Sequence, residues 1–272
     1  MNYHHEYGVS LEEKGWVPSP QYLLRRKRIL SHLRHHKPCR ILEIGCGSGA
    51  LLHDLSQLGH SCTATEISKS ALDLANYVNK DDPSVEILSS PAESFKNAFD
   101  IVIACEVLEH IEDDVASYKE WSSYLKPEGE LIISVPAHPV KWDATDEWAG
   151  HYRRYTRERF HMLADTASCR PVRIECYSFP FTNLVAPVRA YFLRREFKCS
   201  GDEKNNKTVE KEYRTKKSGT SRHLQTKLYP LQKSLAGIWA VRLNYFLQAK
   251  FISRDCGLCY IFFAKKSNLE VA

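Results

Sequence analysis

Through the first 180 residues the chain alternates short, nearly continuous apolar runs with longer stretches in which apolar residues recur every three or four positions. The runs near 40–45, 61–66, 84–89, 99–105 and 130–136 have the length and character of strands buried on both faces, and the stretches between them carry a helical period. This alternation predicts an α/β fold, a doubly wound and mostly parallel sheet with helices on both sides. A helix over 156–167 and strands over 171–178 and 257–264 follow, the last expected to run antiparallel and complete a seven-stranded sheet. Ahead of the sheet, residues 20–36 read as a basic helix with Leu23, Leu24, Ile29, Leu30 and Leu33 available for packing, behind a short aromatic and His-containing lead.

The pattern is interrupted before the last strand. Residues 198–227 are dominated by Lys, Glu, Asn, Ser and Thr and offer little to bury, which predicts a disordered loop. The apolar and aromatic segments on either side are dotted with Arg or Lys, and they suit either a helical cap over the mouth of a site or a peripheral membrane contact through 179–197 and 228–251. The expected organisation is an N-terminal helical lead over 1–36, a core domain over 37–178 plus 256–266, and a helical insertion over 179–255.

The first strand ends in Ile41-Leu-Glu-Ile-Gly-Cys-Gly-Ser-Gly49, and a helical pattern starts at Ala50. Gly45, Gly47 and Gly49 allow the backbone to turn sharply and approach a ligand without a Cβ between them. Gly45, Gly47 and Ala50 also satisfy a dinucleotide spacing, so the glycines alone leave two cofactor classes open. Glu43 favours a cationic ligand over a pyrophosphate, and S-adenosylmethionine, with its ammonium and sulfonium, is such a ligand. Glu66 ends the second strand, where a carboxylate accepts ribose hydroxyls in either class.

Further along, Phe99-Asp-Ile-Val-Ile-Ala-Cys-Glu-Val-Leu-Glu-His-Ile111 and Leu125-Lys-Pro-Glu-Gly-Glu-Leu-Ile-Ile-Ser-Val135 complete a set of four ordered motifs with the glycine loop and Glu66. In these the chain resembles the class I S-adenosylmethionine-dependent methyltransferases over roughly residues 22–178, with a last strand near 257–265. The resemblance implies a Rossmann-like methyltransferase fold and a cofactor site of Glu43, Gly45, Gly47, Gly49 and Glu66, with Cys105 at the end of the fourth strand. Two positions depart from the family pattern. Pro91 stands where an acid often meets the adenine amino group, which shifts that role to Ala92 or Glu93. Glu128 sits in a turn the family usually builds with two glycines.

The acceptor side falls beyond the carboxyl ends of strands four and five. If strand four gives way to a helix at about Glu106, then Glu106, Glu109 and His110 lie at i, i+3 and i+4 on one face. With His151 they form a candidate metal site. This resembles the pattern in small-RNA 2′-O-methyltransferases and, for the first three residues, in ubiquinone-biosynthesis O-methyltransferases. Such a set suits Mg²⁺ loosely and Mn²⁺ better, and the ion would acidify an acceptor hydroxyl. Without a metal, Glu109 and His110 serve capping, cofactor contacts or a local hydrogen bond, and His151 acts as a general base. Arg153 and Arg154 are read equally as clamps for an anionic acceptor or as a solvated helix start.

Composition narrows the setting. The net charge of +5 over 272 residues permits an anionic partner without requiring one. Nine cysteines suggest free thiols in a reducing compartment, with Cys46, Cys62 and Cys105 in the proposed strands and loop, and Cys256-Gly-Leu-Cys259 reads as core rather than as half a zinc site. No apolar run reaches the roughly 18–20 residues of a membrane span, and no charged-then-apolar leader opens the sequence. The expectation is a cytoplasmic, soluble or membrane-peripheral methyltransferase acting on oxygen of a small or lipid-linked acceptor. RNA ranks second as acceptor, since no RNA-binding module is visible. A nicotinamide oxidoreductase and a non-catalytic cofactor-binding regulator are the alternatives of a different class.

Overall fold

The computed structural model describes residues 1–199 and 223–268. A small hairpin of β1 (Asn2–His4) and β2 (Gly8–Ser10) precedes α1 (Pro20–Leu33), which Ser19 caps by accepting the Tyr22 N–H at 3.2 Å. The alternation then runs β3 (Arg40–Ile44), α2 (Ala50–Gln57), β4 (Ser61–Thr65), α3 (Lys69–Asn79), β5 (Val85–Leu88), β6 (Phe99–Cys105), α4 (Asp114–Tyr124) and β7 (Leu125–Pro136). The short helix α5 (Ala144–Ala149), α6 (Arg157–Thr166), β8 (Cys169–Tyr177), α7 (Phe181–Cys199), α8 (His223–Lys233), α9 (Leu235–Phe251) and β9 (Cys259–Lys266) follow.

The seven-stranded sheet has the order β5-β4-β3-β6-β7-β9-β8, with β9 antiparallel to both of its neighbours. Adjacent strand residues face opposite sides, and both sides are buried, as the continuous apolar runs require. Leu42, Val102 and Ile133 pack with Trp121, Phe160 and Phe262 on one face, while Ile41, Ile103 and Phe263 pack with Leu24, Ile29 and Leu52 on the other. Strand β7 begins earlier than the expected residue 130, because the chain stays extended from Leu125, with Glu128 at φ 61° in the turn where the family usually has glycine.

The predicted disordered segment 198–227 lies outside the described residues for 200–222. Its ends are helical, since α7 runs through Cys199 and α8 starts at His223. The two described parts of the insertion go to different places. Helix α7 packs against α5 on the acceptor side, whereas α9 packs on α1. There Ile238, Val241 and Tyr245 close a third core built from Tyr7, Val9, Leu11, Trp16 and Leu23. The aromatic lead therefore contributes folded core, and Tyr7 ties it to the insertion by donating to the Gln232 carbonyl at 2.6 Å.

Candidate functional site

The glycine loop follows β3 as expected, and its glycines have different tasks. Gly45, Gly47 and Gly49 lie at φ 68°, 56° and 69°, in the left-handed region that favours glycine. A Cβ on Gly45 would meet Val107 at 2.6 Å and one on Gly49 would meet Asn79 at 2.6 Å, so these two serve close packing. A Cβ on Gly47 would meet nothing within 4 Å, which leaves its surface open to a ligand. Glu66 stands across the loop and accepts the Gly47 N–H and the Ser68 N–H at 2.8 Å each, one per carboxylate oxygen. With the Ile67 N–H as a third backbone donor, the carboxylate still keeps lone-pair capacity for a donor such as a hydroxyl.

Glu43 shares the face of β3 that packs against α1 and is buried, and one of its oxygens has no hydrogen-bond partner among the described residues. Burial pushes its carboxyl up to about 8, the nearby Arg25 charge opposing. An unpartnered buried acceptor beside an open glycine loop fits the ammonium of S-adenosylmethionine. Cys105 is buried at the end of β6, and burial pushes its thiol up to about 12, so it offers a neutral packing surface. Ala92 and Glu93 are exposed beyond the carboxyl end of β5, in a short turn anchored by buried Phe95 edge-on to Phe99 and Tyr124.

On the acceptor side the expected helical face is replaced by something tighter. Strand β6 stops at Cys105, and Glu106 takes φ 58°, a conformation a residue with a Cβ rarely adopts. A single 3₁₀ turn over Leu108–His110 follows, so Glu106 does not share a helical face with Glu109 and His110. Its carboxylate instead accepts Ser134 Oγ–H at 2.7 Å, Tyr177 O–H at 3.0 Å and Gln21 Nε2–H at 3.3 Å, with Arg25 Nη1 at 3.3 Å. Glu106 therefore leaves the candidate metal set.

The other three members converge. Ligating atoms of Glu109, His110 and His151 lie within 4.8 Å of one another, and the His110 and His151 rings meet edge to face at 4.7 Å. Glu109 is fully buried, and neither carboxylate oxygen has a hydrogen-bond partner among the described residues. Burial, reinforced by the Glu106 charge, pushes its carboxyl well above the usual carboxylate range. Orphaned buried oxygens beside two imidazoles fit a divalent ion held by Glu109, His110 and His151.

His151 is positioned by α5. Asp143 and Asp146 form a reciprocal capping box at the start of that helix, and Gly150 ends it at φ 76°, so the chain folds back and lays His151 over Asp146. The His151 Nδ1–Asp146 Oδ1 distance is 2.8 Å, while Nε2 points to Glu109 Oε1 at 4.0 Å. Burial alone would raise the Asp146 carboxyl, but hydrogen bonds from His151, Arg154 and the Asp143 backbone outweigh it and hold it below the usual range. An ionised Asp146 fixes Nδ1 as the protonated nitrogen and leaves Nε2 with a lone pair.

Arg153 and Arg154 match neither expected role. Arg154 pairs with Asp146 at 2.7 Å, and Arg153 donates to the Ile111 and Glu112 carbonyls at 2.8 and 2.6 Å. Both hold the loop together. Sequence reasoning missed Asp146 as the partner of His151, for which the Asp-x-x-Asp capping pattern was the available signal. It also missed Gln21, Arg25, Ser134 and Tyr177, which the fold gathers around Glu106 from three separate elements.

The comparisons agree with the fold. Residues 42–133 match the family model described as a methyltransferase domain. The ubiquinone biosynthesis O-methyltransferase of Rickettsia typhi is 30% identical over 117 residues, 42% of this chain and 47% of that protein. The chain thus spans about half the length of the curated relatives it matches. Among solved structures, Haemonchus contortus phosphoethanolamine N-methyltransferase 2 in complex with S-adenosyl-L-methionine superposes with a TM-score of 0.53 at 17% identity, over 90% of this chain and 52% of that one. An S-adenosylmethionine-dependent methyltransferase from Mesorhizobium loti gives 0.53 at 13% identity, over 91% and 98%. Over residues 42–133 the chain is thus similar to methyltransferase domains, and its sheet has the fold of solved S-adenosylmethionine-dependent methyltransferases.

Proposed function

We propose that this protein transfers the methyl group of S-adenosylmethionine to a hydroxyl oxygen of a small or lipid-linked acceptor, with His151 receiving the hydroxyl proton. The observation that carries this reading is the pair of buried Asp146 and partly buried His151, whose Nε2 faces Glu109 and His110 beyond the carboxyl ends of β6 and β7. The name of the Rickettsia relative supports oxygen as the acceptor atom. When bound, the cofactor supplies a methyl group made electrophilic by its sulfonium. Glu43 would receive its ammonium, the open surface at Gly47 its methionine end, and the spare lone pairs of Glu66 its ribose hydroxyls. Alignment of the acceptor oxygen opposite the departing sulfur is the main task left to the protein. Asp146 keeps His151 in the tautomer that accepts a proton at Nε2 and stabilises the imidazolium that results.

A second reading of the same residues assigns His151 Nε2 to a divalent ion shared with Glu109 and His110, favoured by the two unpartnered Glu109 oxygens. The ion would lower the pKa of a bound hydroxyl. One nitrogen cannot serve both roles at once, and chelation separates them. Mass spectrometry of extracts from cells with and without the protein identifies the acceptor by a methyl-sized shift. Full-rate methylation of that acceptor by demetallated protein in chelator supports the base, and loss of rate restored by Mn²⁺ or Mg²⁺ supports the metal. Absence of any S-adenosylhomocysteine formation with extract would sink both.

We further propose that the acceptor is met at a membrane surface. Among the described residues no helix is long and apolar enough to cross a membrane. Leu184, Val185, Val188 and Tyr191 on α7, and Leu235, Trp239, Leu243 and Phe246 on α9, are exposed at helical spacing, which supports a surface contact.

A further inference from the structure

A second histidine cluster lies at the opposite end of the sheet from the glycine loop. His32 lies in the last turn of α1, His36 follows in the turn just after it, and Glu130 stands in β7 opposite Ile101 of β6. One ligating atom from each lies within 4.8 Å of the others. We propose that His32, His36 and Glu130 bind a divalent metal ion of the zinc type, which clamps the last turn of α1 to the sheet.

Three observations carry this. The first is distance. Glu130 Oε2 is 2.8 Å from His32 Nε2 and 3.9 Å from His36 Nε2. These values bracket the roughly 3.3 Å between neighbouring donors on a tetrahedral ion with bonds near 2 Å, so small side-chain rotations suffice. The second is tautomer. His36 Nδ1 is 3.1 Å from the His32 carbonyl, an acceptor, so Nδ1 carries the hydrogen and Nε2 presents its lone pair towards Glu130. The third is the carboxylate. Glu130 is buried, its hydrogen-bond partner among the described residues is His32, and a buried carboxylate is best compensated by a cation. Two imidazoles and one carboxylate select Zn²⁺ or a neighbouring transition metal over Mg²⁺ or Ca²⁺.

The surroundings set the limits of the site. Arg173 Nη2 lies 3.4 Å from His32 Nδ1 and shares Glu175 with Arg28, so His32 donates from Nε2 to Glu130, and that proton is the one the ion displaces. Lys265 faces Glu130 across the β7–β9 pair. His36 is half exposed, which leaves the remaining coordination positions to water. The bound ion has a structural consequence, because the same helix delivers Gln21 and Arg25 to Glu106 at its other end.

The test uses full-length, chelator-treated protein titrated with Zn²⁺ by calorimetry and followed by thermal melting. The His110→Gln/His151→Gln background removes the acceptor-side cluster from the count. That background is expected to bind one equivalent of Zn²⁺ and to melt higher with it. Adding His36→Gln, or separately His32→Gln, should weaken binding by about 100-fold or more, the upper end of what losing even a ligand's supporting partner costs. Each should also abolish the Zn²⁺-induced rise in melting temperature. Because His36 is at the surface, the His36→Gln protein should melt with its background in metal-free buffer, which shows that it folds. Equal Zn²⁺ affinity with and without His36→Gln, or no Zn²⁺ binding by the background protein, overturns the proposal.

Discussion

At the residue scale the acceptor side rests on a few buried polar atoms whose partners decide their chemistry. Asp146 serves the helix cap, His151 and Arg154 together, so changing it separates positioning from proton transfer. Asp146→Asn is expected to lower methyl transfer by about 10²–10⁴, the range for general acid–base catalysis, with S-adenosylmethionine affinity unchanged in a calorimetric titration. His151→Ala should produce the same loss and flatten the rise of rate through neutral pH. If Asp146→Asn methylates the identified acceptor at the native rate, the pair is only structural. On the cofactor side, Glu66→Ala should weaken S-adenosylmethionine binding by about 1.5–3 kcal/mol, the value of a hydrogen bond to a charged group. Unchanged affinity would remove Glu66 from the site. Glu43 makes a prediction about stability. Its folded carboxyl stands at about 8, above its ordinary value of 4.5. The folded state therefore binds that proton more tightly, and the associated stability is present at low pH and lost as pH rises through about 8. Melts of the cofactor-free protein from pH 5 to 9 should show this decline, and Glu43→Gln should reduce it; identical profiles would mean that Glu43 is compensated in the fold.

At the element scale the loop and strand geometry explains why some of the site was legible and some was not. The strands, the glycine loop and Glu66 could be read from sequence because buried parallel strands are continuous apolar runs and their carboxyl ends are where an open sheet binds. The arrangement after β6 could not. Helical spacing joined Glu106 to Glu109 and His110, but the left-handed turn at Glu106 has no sequence mark when the residue is not glycine. Its partners Gln21, Ser134 and Tyr177 come from α1, β7 and β8, a juxtaposition that only the fold creates. The basic character of α1 was equally ambiguous. Arg25, Arg26 and Arg28 pair with Glu106, Asp54 and Glu175, so this charge is used inside the molecule. The glycines divide in a testable way. Gly49→Ala places a Cβ against Asn79 and should destabilise the fold, whereas Gly47→Ala meets open space and should cost only about 1–2 kcal/mol from its backbone conformation. Gly47→Ala should nonetheless lose cofactor affinity out of proportion to its melting temperature. If the two variants lose stability and affinity in parallel, Gly47 is another packing glycine.

At the scale of the whole molecule, the chain closes on itself through the insertion. Helix α9 is apolar around most of its circumference, a pattern expected of a helix buried on all sides. One face, with Ile238, Val241 and Tyr245, completes the core under the N-terminal segment, and ion pairs from Arg242 to Glu6 and from Lys233 to Glu12 fasten the edges. The other face, Leu235, Trp239, Leu243 and Phe246, is at least half exposed, and Lys250 lies over the Phe246 ring at 4.5 Å. Exposed aromatic and aliphatic residues rimmed by a lysine suit the interface of an anionic bilayer, where apolar side chains enter and the ammonium stays at the headgroups. Fully burying one large apolar side chain is worth about 1.5–3 kcal/mol, so even half burial of two of them amounts to roughly a tenfold change in partitioning. Leu235→Ser/Trp239→Ser should therefore release the protein from sedimented phosphatidylglycerol-containing vesicles by about tenfold or more. Because these side chains point away from the core, melting temperature and S-adenosylmethionine affinity should stay at the native values. Native protein that remains in the supernatant with such vesicles, at low salt and without detergent, would show that the exposed face serves something other than a membrane.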